Sequence, residues 1–205
     1  MTATRFLDVL LLAVLACVFG LGAVRAAVLY LQGVHVIAVD RQRTPVQGIV
    51  DLITLGGFGL WLYEAVACAW PLQRHLVPIS LQAVLFDGIV LRALGALTIL
   101  AGLLIWLAGV GAMGRAWRIG IDRTSSGALV THGIFASTRN PIYTAFDLLV
   151  VGTFLLQGRL IFLLLALLLI PMFHLQIRRE ERFLVQVHGD AYRDYCARVG
   201  RYFTI

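Results

Sequence analysis

Five long apolar runs alternate with polar links along this chain. The runs are Phe6 to Tyr30, Ile49 to Trp70, Ile89 to Met113, Ile142 to Leu156 and Leu160 to Ile177. A helix needs about 20 apolar residues to cross the roughly 30 Å hydrocarbon core of a bilayer. The fourth run, of about 15 residues, rises only about 22 Å as a helix. The pattern therefore predicts five membrane-spanning helices, the fourth of them shallow.

The last two runs are separated only by Gln157-Gly158-Arg159, which predicts a helical hairpin. The third run carries small residues at intervals that allow a neighbouring helix to approach closely; they are Gly95, Gly102, Gly109 and Gly111. Pro171 lies inside the fifth run, where it removes one amide donor and predicts a kink. A kink there would change the direction of the helix end that carries Glu180-Glu181.

Composition agrees with a membrane protein. Apolar residues make up 60% of the 205 residues, and the mean hydropathy is +0.88, whereas soluble domains are nearer half apolar. We predict an all-α polytopic integral membrane protein with one membrane domain, residues 1–205. Three transmembrane helices occupy residues 1–113, and a second half, residues 114–205, carries the hairpin and a terminal helix. The first run contains Asp8 near its start, so we interpret it as a retained helix and not as a signal peptide.

The basic residues predict an orientation. All 17 are arginine, and with five spans most of them fall on one side of the membrane, which the positive-inside rule identifies as cytoplasmic. These are Arg25, Arg41, Arg43, Arg115, Arg118, Arg123, Arg139, Arg178, Arg179, Arg182, Arg193, Arg198 and Arg201. The N-terminus is then outside and the C-terminus cytoplasmic, in a multi-pass protein of the inner cell membrane.

The residues predict neither nucleic-acid binding nor a cysteine-based site. The net charge of +6 comes from arginines that flank apolar runs without aromatic interleaving, so no nucleic-acid partner is predicted. Cys17, Cys68 and Cys196 form no CxxC pair, so neither a disulfide framework nor a metal site is predicted.

A polar stretch from Gly127 to Tyr143 precedes the hairpin and ends in Arg139-Asn140-Pro141-Ile142-Tyr143. A hairpin returns the chain to the face it left, so we expect this motif to lie near Glu180-Glu181. Together they offer a cation, an amide, a phenol and two carboxylates at the mouth of an apolar bundle. Such a site suits a polar, zwitterionic cofactor beside a lipid-accessible cavity.

At these residues the sequence resembles the membrane isoprenylcysteine carboxyl methyltransferases, the related phospholipid N-methyltransferases and their bacterial relatives. The resemblance covers roughly the last hundred residues. In order, it consists of Leu129-Val130-Thr131-His132-Gly133-Ile134-Phe135, the Arg-His-Pro-x-Tyr motif present here as Arg139-Asn140-Pro141-Ile142-Tyr143, the hairpin, Glu180-Glu181-Arg182-Phe183-Leu184, and Gly189-Asp190-Ala191-Tyr192-Arg193-Asp194-Tyr195.

The resemblance implies S-adenosylmethionine bound by the C-terminal half and a methyl transfer that needs no metal. Its carry-over assigns the cofactor to Gly127, Ala128, Leu129, Val130, Phe135, Asn140, Pro141, Tyr143 and Glu180, and the acceptor to Arg139, Gln176 and Glu181. No catalytic residue is assigned. A carboxylate is a natural partner for the cationic amino and sulfonium groups of this cofactor.

Two residues depart from the family's pattern. Asn140 stands where the family usually has His, and Gln176 stands where carboxyl-methylating members usually have Arg. The first change removes a titratable ring, and the second removes a cation that can hold a substrate carboxylate. We therefore predict a small or lipid-like acceptor reached from the bilayer, without carrying over a prenylcysteine carboxylate.

Two alternatives remain beside the methyltransferase. One is a membrane reductase of the sterol-reductase type, which would use NADPH, and the other is a non-catalytic membrane protein on the same scaffold. No Gly-rich fingerprint follows a predicted strand, which excludes the soluble dinucleotide-type fold. Among the ionisable residues inside the spans, we expect Glu64 and Asp147 to pair with arginines, and His174 to be a packing residue.

Overall fold

The computed structural model describes residues 3–33, 44–70, 74–114 and 129–203. Helices form most of this part of the chain, and the described residues contain no β-strand, as the all-α prediction requires. The helices are α1 (Ala3–Leu31), α2 (Pro45–Ala69), α3 (Ile89–Met113), α4 (Pro141–Gln157), α5 (Leu160–His188) and α6 (Asp190–Arg198). Single 3-10 turns lie at Ile79–Gln82 and Gly133–Ala136.

Helices α1, α2, α3 and α5 are long and apolar enough to cross a membrane, whereas α4 is shorter. This confirms an all-helical polytopic membrane protein with a short fourth helix, whereas the shallow position of that helix stays a prediction. Ion pairs join the helices at opposite ends of the bundle: Arg92 Nη2 of α3 lies 2.9 Å from Asp8 Oδ1 of α1, and Arg179 Nη1 of α5 lies 2.7 Å from Asp51 Oδ1 of α2.

Helices α3 and α4 pack with their backbones nearly touching. A Cβ added to Gly95 would lie 2.5 Å from the Leu156 nitrogen, and one added to Gly152 would lie 2.9 Å from the Gly95 carbonyl oxygen. Gly102 meets the Ala145 carbonyl oxygen one heptad further along, at 3.0 Å from an ideal Cβ. The predicted seam of small residues therefore forms the α3–α4 contact. Gly111 is the exception, because no described atom lies within 4 Å of a Cβ added there.

The tip of the hairpin requires glycine. Gly158 has φ +61°, a conformation that costs side-chain-bearing residues energy, and a Cβ there would collide with the Phe86 carbonyl oxygen. Its own carbonyl accepts a hydrogen bond from the Leu85 amide at 2.7 Å. The α2–α3 loop is thereby fixed against the turn between α4 and α5.

Helix α5 extends well past the apolar run that predicted it. It continues through Pro171 and beyond Ile177 as far as His188, because the polar residues that follow are mostly good helix formers. Gly189, with φ +57°, ends it and starts α6. Glu180 and Glu181 therefore belong to the same helix that forms the hairpin.

The predicted arginine partners of Glu64 and Asp147 are wrong. The buried Glu64 carboxylate accepts hydrogen bonds from Gln82 Nε2 at 2.9 Å and the Leu76 amide at 2.8 Å, and His75 Nδ1 lies 2.8 Å away. The loop after α2 folds back over the end of that helix and supplies these polar groups. Within the described residues, Asp147 Oδ1 is buried without a hydrogen-bond partner, so no arginine there pairs with that oxygen.

Candidate functional site

The hairpin brings its two polar ends together, as expected from the topology. The Tyr143 hydroxyl, on the first turn of α4, lies beside the Glu180 carboxylate near the end of α5. Arg139, just before α4, forms an ion pair with Glu181 at 3.0 Å. The two consecutive glutamates therefore meet two different parts of the motif.

The motif starts α4 by local rules. Pro141 occupies the first turn, where its missing amide hydrogen would have had no helical partner. The Asn140 carbonyl accepts the first helical hydrogen bonds, from the Thr144 amide and hydroxyl, both at 3.0 Å. Thr138 is fully buried, and its hydroxyl accepts from the Asn140 amide and donates to the Arg201 carbonyl. These bonds fix the approach of the chain to the helix.

Glu181 is the centre of a buried polar cluster. Its Oε1 accepts from Arg139 Nε and Nη2 at 3.2 and 3.0 Å and from Asn140 Nδ2 at 3.2 Å. Its Oε2 accepts from Arg201 Nε and Nη2 at 2.9 and 2.6 Å. These hydrogen bonds to Glu181 raise the pKa of Arg201 above its ordinary value. We name Arg139, Asn140, Glu181 and Arg201 the clamp.

The clamp holds the C-terminal segment against the hairpin. Arg139 Nη1 donates to the carbonyls of Cys196 and Val199 at 3.1 and 2.6 Å, which closes the end of α6. Asn140 Nδ2 donates to the Arg201 carbonyl at 3.2 Å. Arg139 and Glu181, which the carry-over assigns to the acceptor, therefore have structural partners here, and their acceptor role stays a prediction.

Glu180 faces the other way, into the bundle. It is half-buried, with Tyr143 as its neighbour. The Tyr143 ring lies 6.3 Å from that of Phe173, centroid to centroid. Asp147 follows Tyr143 by one turn, so the two share one face of α4. This side of the hairpin offers two carboxylates and a phenol beside aromatic rings.

Gln176 lies one turn before Glu180 and is tied to α2. Its Oε1 accepts a hydrogen bond from Arg179 Nη1 at 3.0 Å, and the same nitrogen pairs with Asp51. His174 Nδ1 is hydrogen-bonded to the Tyr202 hydroxyl at 2.8 Å, as expected of a satisfied packing residue. The direct contact of Gln176 with an acceptor stays a prediction.

The other residues assigned to the cofactor lie along the approach to α4. Leu129 and Val130 are half-buried, and Phe135 and Pro141 are buried. The Phe135 carbonyl accepts a hydrogen bond from the Tyr195 hydroxyl at 2.6 Å, and burial raises the pKa of Tyr195 to about 12. Gly127 and Ala128 lie outside the described residues. The cofactor assignments all stay predictions.

Sequence reasoning missed three residues that build the site: Thr138, Tyr195 and Arg201. Arg201 counted only toward the orientation, and Tyr195 only toward the resemblance. The polar residues just before the motif and the tyrosine of α6 were visible, but no local signal indicates which carbonyl or carboxylate each one reaches.

Comparison with known families gives a match that covers the hairpin and its surroundings. A family model described as phospholipid methyltransferase matches residues 90–191, about half of the chain, from the start of α3 into α6. Residues 90–191 are similar to the phospholipid methyltransferase family. The match contains the motif at Arg139–Tyr143 and both glutamates, so the clamp lies within it except for Arg201. The resemblance predicted from the residues is confirmed.

One curated relative is similar over part of the chain. The protein-S-isoprenylcysteine O-methyltransferase of Schizosaccharomyces pombe (strain 972 / ATCC 24843) is 38% identical over 78 residues. These residues make up 38% of this chain and 33% of the relative. The chain thus matches about a third of that protein's length.

Proposed function

We propose that this protein is an integral membrane methyltransferase that uses S-adenosylmethionine to methylate a small or lipid-like acceptor. One observation carries the proposal: Tyr143 at the start of α4 lies beside the Glu180 carboxylate near the end of α5. This contact unites, within the segment that matches the family model, the two ends of a hairpin that the resemblance assigns to one cofactor site.

The residues on this side of the hairpin fit the cofactor chemically. S-adenosylmethionine carries a cationic amino group and a sulfonium, and when bound it supplies an activated methyl group. The Glu180 carboxylate faces into the bundle, and in the described part of the chain the buried Asp147 Oδ1 lacks a hydrogen-bond partner. Carboxylates in such surroundings interact strongly with cations. The described residues on this side of the hairpin thus offer two carboxylates without a paired cation, and the cationic groups of the cofactor would complement them.

The chain's own contribution is binding, orientation and the exclusion of water. The Tyr143 hydroxyl lies beside the Glu180 carboxylate, and the rings of Phe146 and Phe173, 6.1 Å apart, form an apolar wall beside them. Holding donor and acceptor in line in a dry site accelerates a displacement without a protein nucleophile or a metal. We assign no residue to proton removal.

The surrounding cations favour an acceptor recognised mainly through its apolar part. Arg139 is paired with Glu181 and Arg179 with Asp51, and Gln176 replaces the family's arginine. In the described part of the chain, these pairs leave neither arginine free to hold a substrate carboxylate on the Glu180 side. The positive-inside rule supports a site that opens to the cytoplasm.

Calorimetry on the detergent-purified protein tests the proposal, with S-adenosylhomocysteine and NADPH titrated separately. We expect S-adenosylhomocysteine to bind and NADPH not to bind. Binding of NADPH alone would replace the proposal with a reductase, and binding of neither would favour a non-catalytic protein on this scaffold.

A further inference from the structure

A basic cavity of about 590 Å³ opens between α5 and α6, beside the clamp. Five arginines line it, whereas Glu181 is the one carboxylate among its described lining residues. The arginines are Arg139, Arg178, Arg179, Arg182 and Arg201. The remaining wall is mostly apolar or aromatic, with Leu175 and Val185 from α5 and Tyr192 from α6.

Ion pairs leave part of this positive charge uncompensated. Arg139 and Arg201 share the single carboxylate of Glu181, and Arg179 is paired with Asp51. Arg178 and Arg182 are exposed, and among the described residues neither forms an ion pair. Arg182 Nε donates to the Arg178 backbone carbonyl at 3.2 Å, which holds the Arg182 side chain against the preceding turn of α5. The cavity therefore attracts an anion.

The surface of α5 below the cavity is apolar. Leu164, Leu167 and Leu175 are 43%, 65% and 39% exposed, and their spacing places them on one helix face with Arg178 and Arg182. The change from leucine to arginine along this face marks the boundary between hydrocarbon and headgroups. An anion bound in the cavity would lie at headgroup depth, directly above a surface suited to an acyl chain.

We propose that this cavity binds the headgroup of an anionic phospholipid. Arg178 and Arg182 hold its phosphate, and one acyl chain lies along Leu164, Leu167 and Leu175. Clustered arginines at a membrane surface recognise such headgroups through charge and hydrogen bonding. The occupant is a phospholipid and not a free phosphate, because the arginines continue an apolar, lipid-exposed face.

This lipid site is separate from the proposed cofactor site. Arg178 and Arg182 each lie two residues from Glu180, which places them about 160° away from it around the helix. The proposal therefore goes beyond methyl transfer and does not depend on it. Because the walls come from both α5 and α6, a bound headgroup would bridge the helices that the clamp also joins.

Native mass spectrometry of the full-length protein tests the site. The protein is purified in detergent and titrated with phosphatidylglycerol or with phosphatidylcholine of the same acyl chains. We expect one phosphatidylglycerol to be retained more tightly than phosphatidylcholine. Arg178→Gln and Arg182→Gln should each weaken its retention about fivefold, and the double variant roughly 25- to 30-fold, as follows from ~1 kcal/mol per arginine near an anionic lipid surface.

The matched control is Arg193→Gln with Arg198→Gln, which removes two exposed arginines of α6 outside the cavity. Unchanged retention in this control supports the proposal, and so does recovery of most of the affinity in Arg178→Lys with Arg182→Lys. Equal losses in the control, or equal retention of the two lipids, would overturn it. Glycerol 3-phosphate competing as well as the whole lipid would show a free-phosphate site and overturn it too.

Discussion

Glu181→Gln tests whether the clamp holds the C-terminal segment in place. The substitution keeps the size of the side chain but removes its charge and replaces one acceptor oxygen with a donor NH2 group. Glu181 is 8% exposed and accepts from three side chains, Arg139, Asn140 and Arg201. The variant places an amide donor against a guanidinium and leaves a buried cation without its counter-ion.

Breaking one partner of a buried ion pair costs about 3 to 5 kcal/mol. The Arg201 side chain is 32% exposed, so water compensates part of that loss, and we expect about 2 to 3 kcal/mol. For a chain of this size ~1 kcal/mol lowers the unfolding midpoint by roughly 2 to 4 °C. Glu181→Gln should therefore unfold roughly 5 to 10 °C below the wild type.

Thermal unfolding in detergent, followed by circular dichroism, measures the difference. Glu180→Gln is the matched control, because it makes the same chemical change one residue away on the same helix. Among the described residues Glu180 forms no ion pair, so the unfolding midpoint of this variant should stay within about 3 °C of the wild type, the shift of ~1 kcal/mol. Equal midpoints for the two variants would refute the clamp.

Two further changes test the packing and the terminal helix. Gly95→Ala should lower the unfolding midpoint in the same assay, since overpacking a tight contact costs about 1 to 3 kcal/mol, whereas Gly111→Ala should be neutral or stabilising; a neutral Gly95→Ala would contradict the α3–α4 contact. Burial raises the pKa of Tyr195 to about 12. The neutral Tyr195 hydroxyl therefore contributes fully to the free energy of unfolding below about pH 10, the ordinary pKa, and this contribution is lost as the pH rises toward 12. Tyr195→Phe should reduce that loss in unfolding scans at pH 9 to 12, and an unchanged pH dependence would contradict the assignment.

Hydropathy predicted the helices well because the bilayer sets their length and composition directly. The starts of α3 and α5 match the predicted residues, and the Gly95 and Gly102 spacing correctly indicated a close helix contact. The end of α5 was missed because its last part is polar, and hydropathy does not distinguish a polar helix from a polar link.

The sequence predicted that the two ends of the hairpin meet, but not which side chains pair. Consecutive residues on a helix point about 100° apart, so Glu180 and Glu181 face different neighbours, and only packing decides which one meets Arg139. Arg201 joins Glu181 because the tail crosses back over the hairpin, and Glu64 found His75 and Gln82 because the next loop folds over its helix. Such partners depend on tertiary structure and leave no periodic signal.

The measurement that tests the central claim most directly is S-adenosylhomocysteine binding to Glu180→Gln, by calorimetry on the folded, detergent-purified protein. Asp194→Asn, the same chemical change at an exposed position on α6, is the control. Loss of a charge-assisted contact worth about 1.5 to 3 kcal/mol should weaken binding roughly 10- to 150-fold. Asp194→Asn should bind like the wild type. Wild-type affinity in a correctly folded Glu180→Gln would contradict a cofactor site built by the two ends of the hairpin.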